Sequence, residues 1–156
     1  MTLYSGSIYS EGSVRIGEPD VPALRQIVPS EDVAEELHGG LAWAQNDKDV
    51  HYFSVYDGGE IVGQIYLHDI GQQSAEAMIG YHLFQPHYRS KGIGTKALRL
   101  LQAYVLQETN LKRLIIITGT ANEASRGIAT KCKFRLIGGA REDPANLVVY
   151  EWLTDR

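Results

Sequence analysis

Between Ala75 and Thr95 the chain passes from a strand into a helix through a lead-in that carries two glycines and two cations, and no other stretch restricts the fold as tightly. Ala75 to Phe84 alternates, with Ala77, Ile79, Tyr81 and Leu83 on one face and Met78, Gly80 and His82 on the other, which is the period of a strand. Gln85-Pro86-His87-Tyr88 breaks it. Arg89-Ser90-Lys91-Gly92-Ile93-Gly94-Thr95 then opens a helix in which Ile93, Ala97, Leu101 and Tyr104 recur at helical spacing, with Lys96, Arg99 and Gln102 turned outward. No side chain is well placed to cap this helix, so its first N–H groups form an anion site. Glycine lets a phosphate approach the backbone, and Arg89 and Lys91 add positive charge. The physical reading is a pyrophosphate cradle.

The flanking segments place this turn in a mixed α/β or α+β sheet with helices on its faces. The polar, Tyr- and Ser-rich stretch 1–12 reads as an N-terminal arm or an edge strand, and Val14 and Ile16 as a short first strand. Pro19 and Pro22 open a helix carrying Val21, Leu24, Ile27 and Val28, which Pro29 stops. Ser30 can cap a second helix, with Glu31 and Asp32 in its first turn, ending near Gly39-Gly40 or continuing irregularly through Trp43. Tyr52 to Tyr56 and Ile61 to Leu67 pair around the turn Asp57-Gly58-Gly59. Leu114 to Thr118 is an apolar strand of the sort buried on both faces. A helix follows from about Asn122 to Lys131, and Phe134–Ile137 and Leu147–Trp152 close the chain as a hairpin around a Gly138–Asn146 loop.

Composition narrows the function. The 156 residues suit one domain, spanning 1–156, with 44% apolar and 22% charged residues. Cys132 is the only cysteine, which excludes an intrachain disulfide and a cysteine-built zinc site. The longest aliphatic run, Leu114 to Ile117, is far below the ~20 residues of a membrane span, and the N-terminus has no signal-peptide pattern. A reducing compartment, the cytoplasm, is expected. Fifteen basic against nineteen acidic residues argue against nucleic-acid binding by bulk charge. His51, His68 and His87 show no ligand spacing, so no metal is expected. Tyr52, Tyr56, Tyr66 and Trp43 read as core or cleft wall, and Cys132 as structural.

Three ligand classes use such a cradle. A Walker A loop needs Gly-Lys-Ser/Thr at its end, whereas the order here is Gly94-Thr95-Lys96 and Arg89 fills the earlier glycine position. A dinucleotide fingerprint matches formally as Gly92-x-Gly94-x-x-Ala97. It wants an acid ~20 residues on, and the next strand ends in Thr118-Gly119-Thr120. The third pattern is Arg89-x-x-Gly92-x-Gly94 after a strand and a proline-containing turn. Here the chain resembles the GNAT superfamily of N-acetyltransferases. Ile79-Gly80-Tyr81-His82-Leu83, Asn122-x-x-Ser125 and Lys131-Cys132-Lys133-Phe134 resemble its branch that acetylates ribosomal-protein N-termini.

The resemblance implies a GNAT fold, a central mixed, mostly antiparallel sheet of about six to seven strands with about four helices on its faces. A splayed strand pair in it holds acetyl-CoA. It further implies that backbone groups of Leu83 and Phe84 pair with pantetheine. Arg89, Ser90 and the N–H groups of Lys91, Gly92, Ile93, Gly94 and Thr95 hold the pyrophosphate, Asn122 bonds the pantetheine arm, and Ser125 lies near the sulfur. Asn122 also suits a plain helix cap, and the two roles can coexist. Two family positions depart: a frequent thiolate acid is Ala129 here, and a frequent glutamate base is Met78. Glu76 and His82 remain as base candidates, with Ser125 or water as acid. Lys133 replaces the usual glycine before Phe134. Glu31, Asp32, Glu35 and Glu36 read as a solvated helix face that could also attract a cationic amine. The expected activity is acetyl transfer from acetyl-CoA to a primary amine: a peptide or protein N-terminus, a polyamine, an aminoglycoside or another small amine. The alternative is a non-catalytic acyl-CoA-binding sensor. A homodimer through the last strands is compatible with the fold.

Overall fold

The computed structural model describes residues 9–46 and 49–155; residues 1–8 of the N-terminal arm and the side chain of Trp43 lie outside the described residues. Eight strands form one sheet: β1 (Tyr9–Glu11), β2 (Val14–Gly17), β3 (His51–Asp57), β4 (Glu60–Gly71), β5 (Glu76–Leu83), β6 (Arg113–Gly119), β7 (Arg135–Ala140) and β8 (Asp143–Leu153). Their order is β1-β2-β3-β4-β5-β6-β8-β7. The helices are α1 (Val21–Arg25), α2 (Ala34–Asn46), α3 (Ile93–Glu108) and α4 (Glu123–Lys131). Every neighbouring pair is antiparallel except β5 and β6. A parallel pair cannot be joined by a tight turn, and α3 is the crossover between these two. The described end of the N-terminal stretch is the edge strand β1, paired to β2 from Tyr9–Ile16 to Glu11–Val14.

Strand alternation splits the core into two layers. Phe53, Val55, Ile65, Leu67, Ala77, Ile79, Leu114 and Ile116 point to one face and pack under α3 and α4 around Ala97, Leu98, Leu101 and Tyr104. Tyr52 and Tyr66 point to the other face and meet Leu24 of α1, Leu37 of α2 and Phe84. Leu98 and Leu101 have no exposed surface, so truncating either to alanine is expected to cost about 2–5 kcal/mol.

Several elements differ from their sequence patterns. α1 stops at Arg25, capped at its start by the Asp20 side chain, so Val28 is left exposed rather than helical. The segment after Ser30 begins as a 3-10 turn, Glu31–Val33; Ser30 makes no cap bond and donates instead to Asp32 at 2.6 Å. α2 runs through Gly39-Gly40 to Asn46. The reason is packing: a Cβ on Gly40 would lie 2.6 Å from Gln64 Oε1 and 2.9 Å from Tyr52 Cε2, so glycine lets this helix approach the sheet. Gln102 faces inward and donates to the Cys132 carbonyl at 2.9 Å, satisfying the C-terminal end of α4. β6 is not buried on both faces: Leu114 and Ile116 are covered, but Ile117 is 36% exposed because α1 and α2 cover only the β3–β4 side. The Gly138–Asn146 stretch is mostly strand, with register shifts at Leu136/Gly138 and Gly139/Ala140.

Candidate active site

β5 and β6 are registered together only at Glu76–Arg113, Ala77–Leu114 and Met78–Ile115. Beyond that point β5 stays with β4, out to Leu83–Gly63, while β6 stays with β8, out to Gly119–Leu147. Each strand keeps one ladder full, and the two diverge. Ile79 to Leu83 and Ile116 to Thr118 therefore line a cleft of about 520 Å³, which reaches Gly94 at the start of α3, Asn122 and Ser125 at the start of α4, and Asp32 and Glu36. The gap joins the two faces of the sheet. Tyr81 enters from the α3–α4 side and His82 from the α2 side, and both line the same space.

The lead-in to α3 forms the open end. Gly92 is the helix N-cap, with φ 82° and no side-chain cap bond. Its carbonyl accepts from Lys96 N at 3.0 Å, so the N–H groups of Ile93, Gly94 and Thr95 precede the first helical bond, and they have no acceptor among the described residues. A Cβ at Gly92 would meet nothing within 4 Å, so the backbone here lies open to an approaching group. Gly94 has a different reason, since a Cβ there would sit 2.8 Å from Ile128 Cδ1 where α3 passes α4. The side chains of Ile93 and Thr95 are buried, so only their backbone N–H groups are on offer, whereas Ser90 and Lys91 are exposed. Arg89 is tied to Asp32 at 2.9 Å across the cleft mouth. The Ser30 hydroxyl and then the Arg89 guanidinium hold the Asp32 carboxyl below its usual range.

At the β6 side, Asn122 caps α4, its Oδ1 accepting from Ser125 N at 3.1 Å, while the residue also lines the cleft. The Ser125 hydroxyl lies 2.7 Å from the Tyr81 hydroxyl. Burial pushes the Tyr81 phenol up to about 12.

At the α2 side, the buried Gln64 organises the neighbourhood of His82. Gln64 Nε2 donates to the Glu36 carbonyl at 2.8 Å and lies 3.1 Å from His82 Nδ1, while Gln64 Oε1 accepts from Tyr52 at 2.6 Å. The Glu36 carbonyl can only accept, so the amide nitrogen must face it, and His82 Nδ1 must accept from that same nitrogen. The neutral ring then carries its proton on Nε2. Burial pushes the imidazole below its ordinary range, opposed by the Glu36 charge. In this arrangement the neutral His82 ring accepts at Nδ1 and is a donor through Nε2.

Two other expected residues are not brought to the cleft as predicted. Glu76 sits at the opposite end of β5, six residues before His82 and about 20 Å along the strand, where it pairs with Arg113 at 3.0 Å. Phe84 has both backbone groups committed, its N–H to the Val62 carbonyl at 2.9 Å and its carbonyl to Ser30 N at 2.8 Å. Its ring is buried, so it is not open to a ligand, whereas Leu83 lines the cleft. The sequence does not single out Gln64, which reads as one more strand position, and it names Tyr81 only within a motif strand; the tertiary pairing makes them neighbours of His82 and Ser125. Cys132 is buried, its thiol pushed up to about 11 by burial, and its Sγ donates to the Thr95 carbonyl at 3.5 Å. Among the described residues no three His, Cys, Asp or Glu side chains form a metal-ligand set, and no helix is long and apolar enough to cross a membrane.

Comparison with known proteins adds a family. The acetyltransferase (GNAT) domain family matches residues 15–135. YdaF of Bacillus subtilis strain 168, which bears the provisional name ribosomal N-acetyltransferase, is 36% identical over 88 residues, covering 56% of this chain and 47% of that protein. YoaA of the same organism, an uncharacterized N-acetyltransferase, is 29% identical over 103 residues, covering 66% of this chain and 53% of that protein. The chain thus spans about half the length of the curated relatives it matches. Among solved structures, the ribosomal L7/L12 α-N-protein acetyltransferase RimL, in complex with coenzyme A, superposes with a TM-score of 0.75 at 19% identity, covering 96% of this chain and 99% of that one. The microcin C7 self-immunity acetyltransferase MccE, bound to acetyl-CoA and AMP, gives 0.73 at 18% identity, covering 97% and 98%. At such identities these two similarities speak to the fold.

Proposed function

The chain belongs to the acetyltransferase (GNAT) domain family, and on that premise we propose that it is an acetyl-CoA-dependent N-acetyltransferase whose acceptor is the α-amino group of a peptide or protein N-terminus. The observation that carries the reading is the splayed β5–β6 cleft that reaches an uncapped helix start. The donor fits that cleft on physical grounds. The N–H groups of Ile93, Gly94 and Thr95 point their unused hydrogens at one place, Gly92 keeps the approach open, and Lys91 is an exposed cation beside them. Asn122 and Leu83 line the cleft, and Ser125 lines it from the first turn of α4. Acetyl-CoA supplies an acyl group already activated as a thioester.

The charges and hydrogen bonds of the cleft support that acceptor class. An ammonium group is attracted by the carboxylate of Glu36, which lines the cleft, while Asp32 beside it is already paired with Arg89. The ammonium must shed a proton before it can attack. With Gln64 donating to Nδ1 and the proton on Nε2, His82 is not the base in this reading. Glu36, acting through water, is the remaining carboxylate beside His82. Such a weak arrangement suits an amine that ionises near neutrality. Freeing an α-amine of pKa about 7.8 at pH 7.5 costs under about 1 kcal/mol, whereas a lysine-type amine of pKa about 10.4 costs about 4 kcal/mol. The His82 Nε2–H is available as a donor to oxygen that gains charge during transfer. YdaF is named as a ribosomal N-acetyltransferase and RimL as an α-N-protein acetyltransferase, in keeping with a protein amine acceptor.

Calorimetric titration with acetyl-CoA, wild type against Gly92→Glu, tests the donor site; binding lost in the variant is the expected result, and no binding by the wild type overturns the reading. Thiol release is then measured with peptides bearing a free N-terminus, with N-terminally blocked peptides bearing lysine, and with spermidine. A preference of tenfold or more for the free N-terminus is expected. Preference for either of the other two overturns the acceptor assignment.

A further inference from the structure

Tyr81 and Ser125 form a hydroxyl pair that the cleft's geometry brings together from different elements. Resting on the transferase reading above, we propose that Tyr81 is a positioning residue that orients the Ser125 hydroxyl as hydrogen-bond donor to the departing thiolate. Tyr81 leaves β5 on the α3–α4 side just where β6 has diverged, and its hydroxyl reaches the first turn of α4. There it lies 2.7 Å from Ser125 Oγ and 3.2 Å from the Ser125 carbonyl. Both residues line the cleft.

Two hydrogen-bond arrangements satisfy this geometry. In one, the serine hydroxyl donates to the phenol oxygen and the phenol donates to the Ser125 carbonyl, so both protons are used within the protein. In the other, the phenol donates to Ser125 Oγ, and the serine proton is released to point into the cleft. An anion in the cleft favours the second, because a charge-assisted bond outweighs the longer contact to the carbonyl. The phenol thus acts as a rotor stop for a hydroxyl that would otherwise turn freely.

Magnitudes decide that this pair donates a hydrogen bond and does not deliver a proton. A thiol ionises near ~8.5, while burial pushes the Tyr81 phenol up to about 12. Transfer of the phenol proton to sulfur is therefore unfavourable by more than three orders of magnitude, and a serine hydroxyl is a weaker acid still. The balanced step is that the C–N bond forms as the C–S bond breaks, sulfur leaves with the electron pair, and the ammonium proton goes to solvent. The thiolate is held by Ser125 until solvent protonates it. Cys132, lying behind α3 with its thiol pushed up to about 11, does not take part.

The test uses bound coenzyme A, followed through its ultraviolet thiolate absorbance between pH 6 and 9.5, with the spectrum of the CoA-free protein subtracted. Bound CoA is expected to ionise about one pH unit below free CoA, a tenfold change in ionisation constant. Tyr81→Phe should lose most of that shift, Ser125→Ala all of it, and the double variant no more than Ser125→Ala. Turnover should fall in kcat with KM for acetyl-CoA unchanged. If Tyr81→Phe binds CoA with the wild-type thiol ionisation, the proposal is overturned. If Tyr81→Phe fails to fold, Ser125→Ala, which removes one hydroxyl from the first turn of α4, still decides: a bound thiol that ionises there as it does in the wild type overturns the proposal as well. Wild-type protein that does not bind CoA at all would instead remove the transferase reading on which this rests.

Discussion

Replacing Gln64 by methionine tests the arrangement around His82 through stability, independently of any activity. Methionine nearly matches glutamine in shape, so no cavity opens. What is lost is three hydrogen bonds: from Tyr52 at 2.6 Å, to the Glu36 carbonyl at 2.8 Å, and to His82 Nδ1 at 3.1 Å. At about 1 kcal/mol net for each bond the cost is about 3 kcal/mol. Tyr52 has no exposed surface, so its phenol cannot turn to water, and this holds the cost near that figure. Urea unfolding at pH 7.5 reads it directly, and a thermal melt should fall by about 6–12 °C. A second readout is the pH dependence. Burial holds His82 below its unfolded pKa of about 6.5, so between the two pKa values the unfolded chain binds more protons and stability falls as pH drops through that window. Without the donor on Nδ1 the ring accepts a proton more easily, so this fall should be shallower in the variant. A loss under about 1 kcal/mol together with an unchanged acid slope would refute the Gln64–His82 assignment.

Three further substitutions read other parts of the fold. Lys133 has φ 67° and donates to the Thr130 carbonyl while Phe134 donates to Ala129, a glycine-type helix end with lysine in the left-handed position; Lys133→Gly should stabilise the protein by about 1 kcal/mol in urea unfolding. A Cβ on Gly80 would lie 2.4 Å from Cζ of the buried Tyr66, so Gly80→Ala should cost about 1–3 kcal/mol on the same measurement. The Arg135 and Arg113 guanidinium groups hold the Glu151 carboxyl below its usual range. That stability is present above the unfolded value near ~4.3 and is lost as pH falls through the lower native one, so the gap in urea midpoint between wild type and Glu151→Gln should close on acidification.

Most of the site's skeleton could be read without coordinates because it is built from local periodicity. The alternation Ala77 to Leu83 names the two faces of β5, and the uncapped glycine lead-in before Ile93 marks the start of α3, since both depend only on neighbours in the chain. Asn122-x-x-Ser125 is likewise local: an asparagine three residues before a free N–H is a cap wherever it stands. Boundaries set by packing were less legible. Gly39-Gly40 looks like a helix stop, yet the helix continues because Gly40 must sit against Tyr52 and Gln64. Gln102 looks like a surface position, yet it faces the end of α4.

The chemistry divides along the same line. From its residues alone, this chain reads as a mixed α/β sheet with an uncapped, glycine-containing strand-to-helix turn, because periodicity, helix-end chemistry and glycine placement act over a few residues. Tertiary structure decided which side chains share the cleft. Glu76 and His82 lie on the same strand, but the first ends in an ion pair with Arg113 and the second in a hydrogen bond from Gln64. Tyr81 meets Ser125 across 44 residues of sequence. Such contacts arise because β5 and β6 part after three registered pairs, and where two strands part depends on which neighbours complete their ladders, a property of the whole sheet.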